Sequence, residues 1–362
     1  MNHLHNIRSE LQRLESELAD QIAGLARLLR PLPLDRDVPA LQAQYRTVTL
    51  SRRALSQFVK GELQSVSQRR SEHPGEKRQS HGLHKTLSSV QKRLRVWGRF
   101  DTAVTRMIAA DPCDLLQDHR PGGSGVEVMD HVVARCLDAL HKAANPIAHT
   151  QSDDAEDRGL HRDIPLSMMQ FSKMIGAAYR LCLAQRKAGS MRFLDVGSGG
   201  GTKVLAASTC FEVCHGLEYE SATVETGQAL LSLVAHDTCT LIHGDALTFS
   251  GYAEYDVIYF YRPLVSESGM IDLEARILEQ VRPGTVLLAA GRPLVSEQAE
   301  QTARAVAPSV YVAGVSEPDA ELLRQNAERM GTAIPGHDRR TLLNPGYWTP
   351  LKEVCAENGY QV

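Results

Sequence analysis

The sequence predicts an α/β fold, a doubly wound and mostly parallel sheet preceded by an all-helical N-terminal region. Between residues 190 and 292, short apolar runs alternate with longer amphipathic stretches, as strands and helices do in a parallel sheet. Residues 1–110 instead repeat apolar side chains at helical spacing. The 362 residues, 43% of them hydrophobic, suffice for one full-sized core and a second, smaller unit.

The first predicted strand, Phe193–Val196, ends in a glycine-rich turn. Three glycines lie at alternate positions of this turn: Gly197, Gly199 and Gly201. They permit positive φ and a close approach of the backbone to a ligand. A dinucleotide fingerprint requires a further glycine where this chain has Thr202. Asp195 would repel a pyrophosphate but can hold an ammonium group, so the turn predicts a zwitterionic cofactor without phosphate, with a ligand-free turn as the alternative.

Four more segments follow in the order that such a sheet requires. The predicted strands are Val213–Glu218, Thr240–Ala246, Asp256–Pro263 and a strand within Val281–Ala290, with a helix over Leu273–Gln280 before the last of them. The second strand ends in Glu218, whose carboxylate can accept hydrogen bonds from both hydroxyls of a ribose. The third ends in Gly-Asp-Ala, which brings another carboxylate, Asp245, to the same edge.

Together, these segments resemble the class I methyltransferases that use S-adenosylmethionine, over residues 190–292. The resemblance implies that Asp245 and Ala246 contact the adenine. It also implies a cofactor-binding set formed by Asp195, Gly197, Ser198, Gly199, Gly201, Glu218, Asp245 and Ala246. Each acid also has a structural interpretation: Asp195 as a helix cap, Glu218 as a surface residue and Asp245 as an Asx-turn residue.

A more distant resemblance in layout is to the non-SET histone-lysine methyltransferases, which also carry a helical domain ahead of the sheet. It rests on Phe193–Ser198, Gly216–Glu218, the fourth strand and Val281–Leu294. That family has paired asparagines after the fourth strand. Here Tyr261 and Arg262 occupy those positions, so lysine specificity is not implied.

The end of the fourth strand supplies the candidate catalytic residues Tyr259, Tyr261 and Arg262. Amino-methylating nucleic-acid enzymes have Asn or Asp followed by Pro-Pro, and Arg262 replaces the first proline. A guanidinium has no acceptor atom, so it cannot orient an amine. The guanidinium of Arg262 instead favours a substrate that carries a carboxylate or a phosphate. Tyr259 and Tyr261 alternate along the strand and are expected to line one pocket, or else to be packing residues.

The N-terminal region is basic, with 19 Lys and Arg against 10 Asp and Glu in residues 1–110, although the whole chain has a net charge of −3. Most of the excess lies between Arg46 and Arg95. Such an excess of basic residues predicts binding to an acidic partner such as RNA or DNA. The alternative is that these residues form a helix face that is only solvated. Residues 4–28 form an apolar heptad seam that ends before Pro31 and Pro33. The seam predicts either a coiled-coil homodimer or an intramolecular bundle.

Other features narrow the class of protein. The seven cysteines form no zinc or disulfide framework, the scattered histidines predict no metal site, and no stretch resembles a signal peptide or membrane span. These features predict a cytoplasmic protein without a membrane partner. The predicted organisation is a basic helical region (1–110), a linker with one helix (111–162), a methyltransferase domain (163–315) and a C-terminal extension (316–362).

We therefore expect an S-adenosylmethionine-dependent methyltransferase with an unidentified acceptor, anionic or associated with nucleic acid. The alternative is a cofactor-binding scaffold or interaction protein that keeps this fold without turnover. An NAD-linked oxidoreductase is disfavoured by Thr202 and Asp195, for the reasons given above.

Overall fold

The computed structural model of the protein describes residues 2–72, 77–116, 152–161, 168–187, 191–234, 238–332 and 346–362, with single helical residues at 132, 136, 139 and 143. These form two compact units. The first comprises Met1–Asp111, Arg329–Ala333 and Asp338–Val362, and the second comprises Pro112–Glu328 and Ile334–His337. The predicted helix of the linker, over residues 126–144, lies largely outside the described residues. In the described part of the chain, no helix combines the length and apolarity needed to cross a membrane.

The described helices and strands are numbered here in chain order. The helices are α1 (Asn2–Leu29), α2 (Val38–Glu72), α3 (Lys77–Arg95), α4 (Trp97–Ala109), α5 (Asp153–Asp157), α6 (Met168–Ala184), α7 (Thr202–Ala207), α8 (Ser221–Leu233), α9 (Glu267–Gln280), α10 (Glu297–Thr302), α11 (Glu317–Glu328) and α12 (Thr349–Glu357). The strands are β1 (Arg192–Val196), β2 (Val213–Glu218), β3 (Cys239–His243), β4 (Val257–Phe260), β5 (Val286–Ala289), β6 (Ala303–Ala307) and β7 (Val310–Ala313).

The first unit is a helical bundle in which the apolar seam of α1 packs against α2 and α12. Leu11, Leu18 and Leu25 of this seam are each buried within the single chain. Helix α1 ends at Leu29, just before Pro31, as the sequence predicts. The seam is therefore part of an intramolecular core, which is one of the two arrangements left open by the heptad pattern.

Residues 346–362 also belong to this bundle. Trp348 is fully buried, stacks on Phe100 at 5.4 Å between ring centroids and donates its indole N–H to the carbonyl of Arg93 at 3.0 Å. The predicted C-terminal extension, 316–362, is therefore divided between the units, because α11 belongs to the second unit and α12 to the first. The reason is the aromatic packing around Trp348, which no local sequence pattern indicates.

The second unit contains a seven-stranded sheet with the order β3-β2-β1-β4-β5-β7-β6. Strands β1 to β5 pair in parallel, and β7 is antiparallel to both β5 and β6. Helices α7, α8 and α9 connect β1 to β2, β2 to β3 and β4 to β5, and the strand order reverses direction between β1 and β4. The predicted doubly wound, mostly parallel α/β fold is confirmed.

The sheet extends further at its C-terminal end than the sequence predicts. After β5, α10 ends at Thr302 and β6 begins directly at Ala303. A two-residue connection, with Ser309 at φ 62°, joins β6 to β7 and completes the seven strands. No clear sequence signal marks β6, because three of its five residues are alanine and only Val306 is β-branched.

Candidate functional site

Asp195 lies at the carboxyl end of β1, between the two neighbouring strands of the sheet. Its backbone pairs in register with Gly216 of β2 on one side and with Tyr259 of β4 on the other. The side chain is 1% exposed. The order of the strands reverses beside β1, and open α/β sheets bind their ligands at such a point.

The glycine turn that follows β1 requires its glycines. Gly197, Gly199 and Gly201 have φ values of 75°, 51° and 80°, which L-residues with side chains rarely adopt. A Cβ atom on Gly197 would lie 2.9 Å from Cβ of Pro263, beyond the end of β4. The turn therefore passes close to the end of β4, and a side chain at position 197 would displace it.

Ser198 of this turn lies against Gly216. A Cβ atom at position 216 would come within 2.5 Å of Ser198 Oγ. The Oγ atom is buried and has no hydrogen-bond partner among the described residues. Because an unsatisfied buried hydroxyl is costly, Ser198 is suited to bonding a polar group of a ligand.

Glu218, at the end of β2, is held by two backbone groups. Its Oε2 atom accepts from the N–H of Gly199 at 2.9 Å, and its Oε1 atom accepts from the N–H of Glu220 at 3.0 Å. Each carboxylate oxygen has a second lone pair. The side chain is thus fixed in orientation at the end of β2.

Asp245 follows β3 and forms the Asx-turn that was its structural interpretation, because Oδ1 accepts from the N–H of Leu247 at 2.8 Å. Its Oδ2 atom accepts from Nη1 of Arg158 at 2.7 Å. The carbonyl of the adjacent Ala246 accepts from the hydroxyl of Tyr252 at 2.8 Å. The turn is therefore rigidly tied at both residues of the predicted adenine contact.

Tyr259 and Tyr261 occupy different environments. Tyr259 is 1% exposed and packs edge-on against Phe171 of α6, at 5.0 Å between ring centroids. Burial raises the pKa of Tyr259, and the nearby Asp195 and Tyr261 raise this pKa further. Its hydroxyl is buried without a hydrogen-bond partner in the described part of the chain. Tyr259 can therefore donate a hydrogen bond but is a poor proton acceptor at neutral pH.

The predicted fourth strand continued to Pro263, but β4 ends at Phe260. Tyr261 and Arg262 therefore lie in a loop, where the alternation of a strand does not determine which way they face. Tyr261 is half-buried and lies so close to Gly291, after β5, that a Cβ there would be 2.8 Å from its ring. Arg262 is exposed and has φ 46°, in the left-handed region. Such strained residues concentrate at functional sites.

The segment 152–161 also lies at this edge of the sheet, although the sequence predicts a linker there. It contacts residues beyond β2, β3 and β4, including Tyr219, Glu220 and Asp245. A signal for its short helix was present: Ser152 is an N-cap followed by acidic residues in the first turn. Tyr219, Glu220 and Arg158 carried no signal, since their contacts join residues more than 60 positions apart.

The residues at this edge fit S-adenosylmethionine by their chemistry. A buried carboxylate at Asp195 suits an ammonium group, Glu218 suits the ribose hydroxyls and Asp245 suits the adenine amine. The strand ends that carry these acids belong to three adjacent strands, β1, β2 and β3. The turn does not match the dinucleotide fingerprint, because Thr202 stands where that fingerprint needs glycine.

No family model matches the sequence, and no match was found among curated proteins. Three similar solved structures are an amino pentose methyltransferase from Micromonospora echinaspora with bound S-adenosylmethionine, an RNA methyltransferase from Salinibacter ruber with S-adenosylhomocysteine, and a methyltransferase from Thiobacillus denitrificans with S-adenosylhomocysteine.

These likenesses are weak and partial. The sequence identities are 22%, 19% and 20%, and the TM-scores are 0.28, 0.27 and 0.27. The alignments cover 36%, 38% and 42% of this chain. They span 58%, 86% and 54% of the other chains, so this chain matches little more than half of two of them.

Proposed function

We propose that the second unit binds S-adenosylmethionine at the carboxyl edge of its sheet and transfers the methyl group to an acceptor. The observation that carries this proposal is the set of three carboxylates, Asp195, Glu218 and Asp245, on adjacent strand ends around a glycine turn. The strand order β3-β2-β1-β4-β5-β7-β6, with an antiparallel β7, supports the same conclusion. This order reverses beside β1, which is where open α/β sheets bind their ligands.

The residues would divide the cofactor between them. Asp195 and the turn Gly197–Gly201 would hold the amino-acid end, Glu218 the ribose, and Asp245 with Ala246 the adenine. When bound, S-adenosylmethionine supplies an electrophilic methyl group on a sulfonium. The chain need only align an acceptor, exclude water and allow one proton to leave.

Three residues at the end of β4 are proposed to serve the acceptor. Tyr259 offers a protonated phenol from a buried position, and Tyr261 offers an aromatic wall. Arg262 is exposed and carries a guanidinium, which is suited to binding a carboxylate or phosphate. We therefore propose an anionic acceptor, and this part of the proposal depends on Arg262 alone.

The direct test is calorimetry with S-adenosylmethionine, S-adenosylhomocysteine and NAD⁺, followed by transfer of a radiolabelled methyl group to RNA, DNA, protein and metabolite pools. Binding of both adenosyl compounds and labelling of one pool is the expected result. Binding without labelling of any pool would support the scaffold alternative. Absence of heat with either adenosyl compound would refute the cofactor assignment.

We further propose that the helical unit binds nucleic acid through one face of α3 and α4. Lys85, Lys92, Arg99 and Arg106 are exposed at intervals of seven residues, about 10.5 Å apart along a helix. Val96, between the helices, keeps helical angles of φ −67° and ψ −21°, which supports a common face. Helix α3 contains no Asp or Glu. Such a row of cations suits a phosphate backbone.

A further inference from the structure

We infer that the segment Ser152–His161, which precedes the sheet in the chain, forms one wall of the adenosyl site, with Arg158 as its positioning residue. The inference rests on the proposed function, because it assigns a further part of the same ligand site. None of the site residues expected from the sequence comes from this segment. Three groups of contacts carry the inference, one for each strand end that the segment reaches.

The C-terminal part of the segment is joined to the loop after β4. Residues 159–161 and 263–265 pair in an antiparallel bridge. The backbone N–H of His161 donates to the carbonyl of Pro263 at 3.0 Å, and the N–H of Val265 donates back into the segment at 2.8 Å. The loop that carries the candidate acceptor residues is thus bonded directly to this segment.

Arg158 joins the middle of the segment to residues beyond β2 and β3. Its Nη1 atom lies 2.7 Å from Oδ2 of Asp245, the carboxylate assigned to the adenine amine. Its guanidinium carbon lies 5.2 Å from the ring centroid of Tyr219, which is close enough for a cation–π interaction. One side chain therefore fixes both a carboxylate and an aromatic ring at the same edge.

The N-terminal part of the segment is fixed to the residues after β2. The backbone N–H and the hydroxyl of Ser152 donate to Oε1 of Glu220, at 3.0 and 2.8 Å. The hydroxyl of Tyr219 donates to Oδ2 of Asp154. Glu220 in turn donates its own N–H to Glu218, the proposed ribose acceptor. This chain of contacts connects the segment to the ribose end of the site.

A ligand that reaches Glu218 and Asp245 therefore meets the segment at the same edge of the sheet. Of the two carboxylate oxygens of Asp245, Arg158 donates to Oδ2. Each carboxylate oxygen has more than one lone pair, so an adenine amine can share this carboxylate with Arg158. The aromatic ring of Tyr219, held by Arg158, offers an apolar face to a base. A purine nucleoside without phosphate is the ligand class that these groups suit.

The contacts of the segment are also easily broken. Arg158 pairs with Asp245 through a side chain that is 51% exposed, and ion pairs with an exposed partner contribute little to stability. Segments held in this way open more readily than the core of a domain. We therefore expect the segment to open for release of the ligand, and Arg158 to affect the release rate more than the association rate.

The test measures association and release of S-adenosylhomocysteine by stopped-flow on the full chain. Arg158→Gln should raise the release rate about fivefold, the effect of one exposed ion pair, with little change in association. Arg158→Lys, which keeps the charge, should restore most of the wild-type rate. Arg324→Gln is the matched control, because it removes a surface arginine that pairs with Glu321 and Glu328 on α11.

Hydrogen exchange separates the two possible failures. In the absence of ligand, the amides of His161 and Val265 should exchange faster in Arg158→Gln than in the wild type or in Arg324→Gln. In the wild type, S-adenosylhomocysteine should slow their exchange. If the wild type binds the ligand but Arg158→Gln leaves both release and exchange unchanged, the inference fails alone. If the wild type binds neither adenosyl compound, the proposed function fails and the inference fails with it.

Discussion

The backbone N–H of Gly199 donates to Oε2 of Glu218 at 2.9 Å, which joins the glycine turn after β1 to the carboxylate at the end of β2. The same carboxylate accepts from the N–H of Glu220 at 3.0 Å. One side chain therefore sets the position of the turn and of the loop after β2. The proposed cofactor site depends on this residue twice, as a ligand for ribose and as a support for the turn.

Glu218→Gln should weaken binding of S-adenosylhomocysteine tenfold or more. An amide accepts through only one oxygen, so it cannot satisfy both N–H groups, and a hydrogen bond to a charged group contributes about 1.5–3 kcal/mol. Calorimetry measures the change in Kd. Glu254→Gln serves as the control, since Glu254 is an exposed carboxylate that pairs with Arg192. Equal affinities for wild type and Glu218→Gln would contradict the ribose assignment.

Gly216→Ala should destabilise the second unit and abolish cofactor binding. The new Cβ atom would lie 2.5 Å from Ser198 Oγ and 2.7 Å from Leu241 Cδ2, and such overpacking costs about 1–3 kcal/mol. Denaturant unfolding measures the loss of stability. The double variant Gly216→Ala/Ser198→Gly should recover part of that stability, because it removes the closer contact.

The control for this steric argument is Gly176→Ala in α6, where a Cβ atom meets nothing within 4 Å. Alanine is the better helix former by up to about 1 kcal/mol, so this variant should be as stable as the wild type or more so. A stable Gly216→Ala protein that binds the cofactor normally would show that the turn tolerates displacement.

The sequence was sufficient to predict β1 to β5 and the acids at or after the ends of β1, β2 and β3, because each strand is a short, mainly apolar run followed by a polar turn. It was insufficient where long-range contacts decide the structure. The packing of Trp348 on Phe100 and the bond from Arg158 to Asp245 join residues far apart in the chain. The assignments of Tyr259, Tyr261 and Arg262 stay predictions, and the early end of β4 alters the geometry on which they were based.

The second unit should lose stability as the pH falls below about 6.5, the ordinary pKa of histidine in an unfolded chain. Burial lowers the pKa of His161, helped by Arg262, and burial also lowers the pKa of His215, helped by Arg192 and opposed by Glu254. The fold therefore favours the neutral rings, and the unfolded chain takes up protons first. The two neutral histidines therefore contribute fully to the stability of the second unit above about pH 6.5. This contribution is lost as the pH falls towards the pKa values of the histidines in the folded protein.

Denaturant midpoints between pH 7.5 and 5.5 check this prediction, and NMR of the imidazole protons measures each pKa directly. His215→Asn and His161→Gln should reduce the slope of stability against pH. A wild-type midpoint that stays constant or rises on acidification over this range would contradict the assignment.

Replacement of Lys85, Lys92 and Arg106 by Gln should weaken binding of nucleic acid and reduce its dependence on salt. Within the described part of the chain none of the three forms an ion pair, so each is available to a phosphate. The plot of log K against log salt has a negative slope, and the loss of three phosphate contacts should make this slope shallower by about 2–3. Fluorescence anisotropy with labelled duplex DNA and RNA measures it. A triple variant at Arg282, Arg304 and Arg324 controls for total charge, and equal slopes in both triple variants would exclude this surface.

Arg262→Gly should leave the fold as stable as the wild type or slightly more stable, yet abolish transfer to an anionic acceptor. The left-handed conformation, φ 46°, costs a residue with a side chain about 1–2 kcal/mol, and glycine avoids that cost. The greater freedom of glycine in the unfolded chain offsets about 0.5–1 kcal/mol of the gain. Arg262→Ala keeps the strain and also lacks the guanidinium, so it should be no more stable than the wild type and as inactive as Arg262→Gly.

Thermal unfolding and single-turnover transfer of the radiolabelled methyl group separate the effect on stability from the effect on transfer. Full transfer by Arg262→Ala would show that the acceptor is bound without this residue, whereas a Gly variant less stable than the Ala variant would show that the backbone here is unstrained.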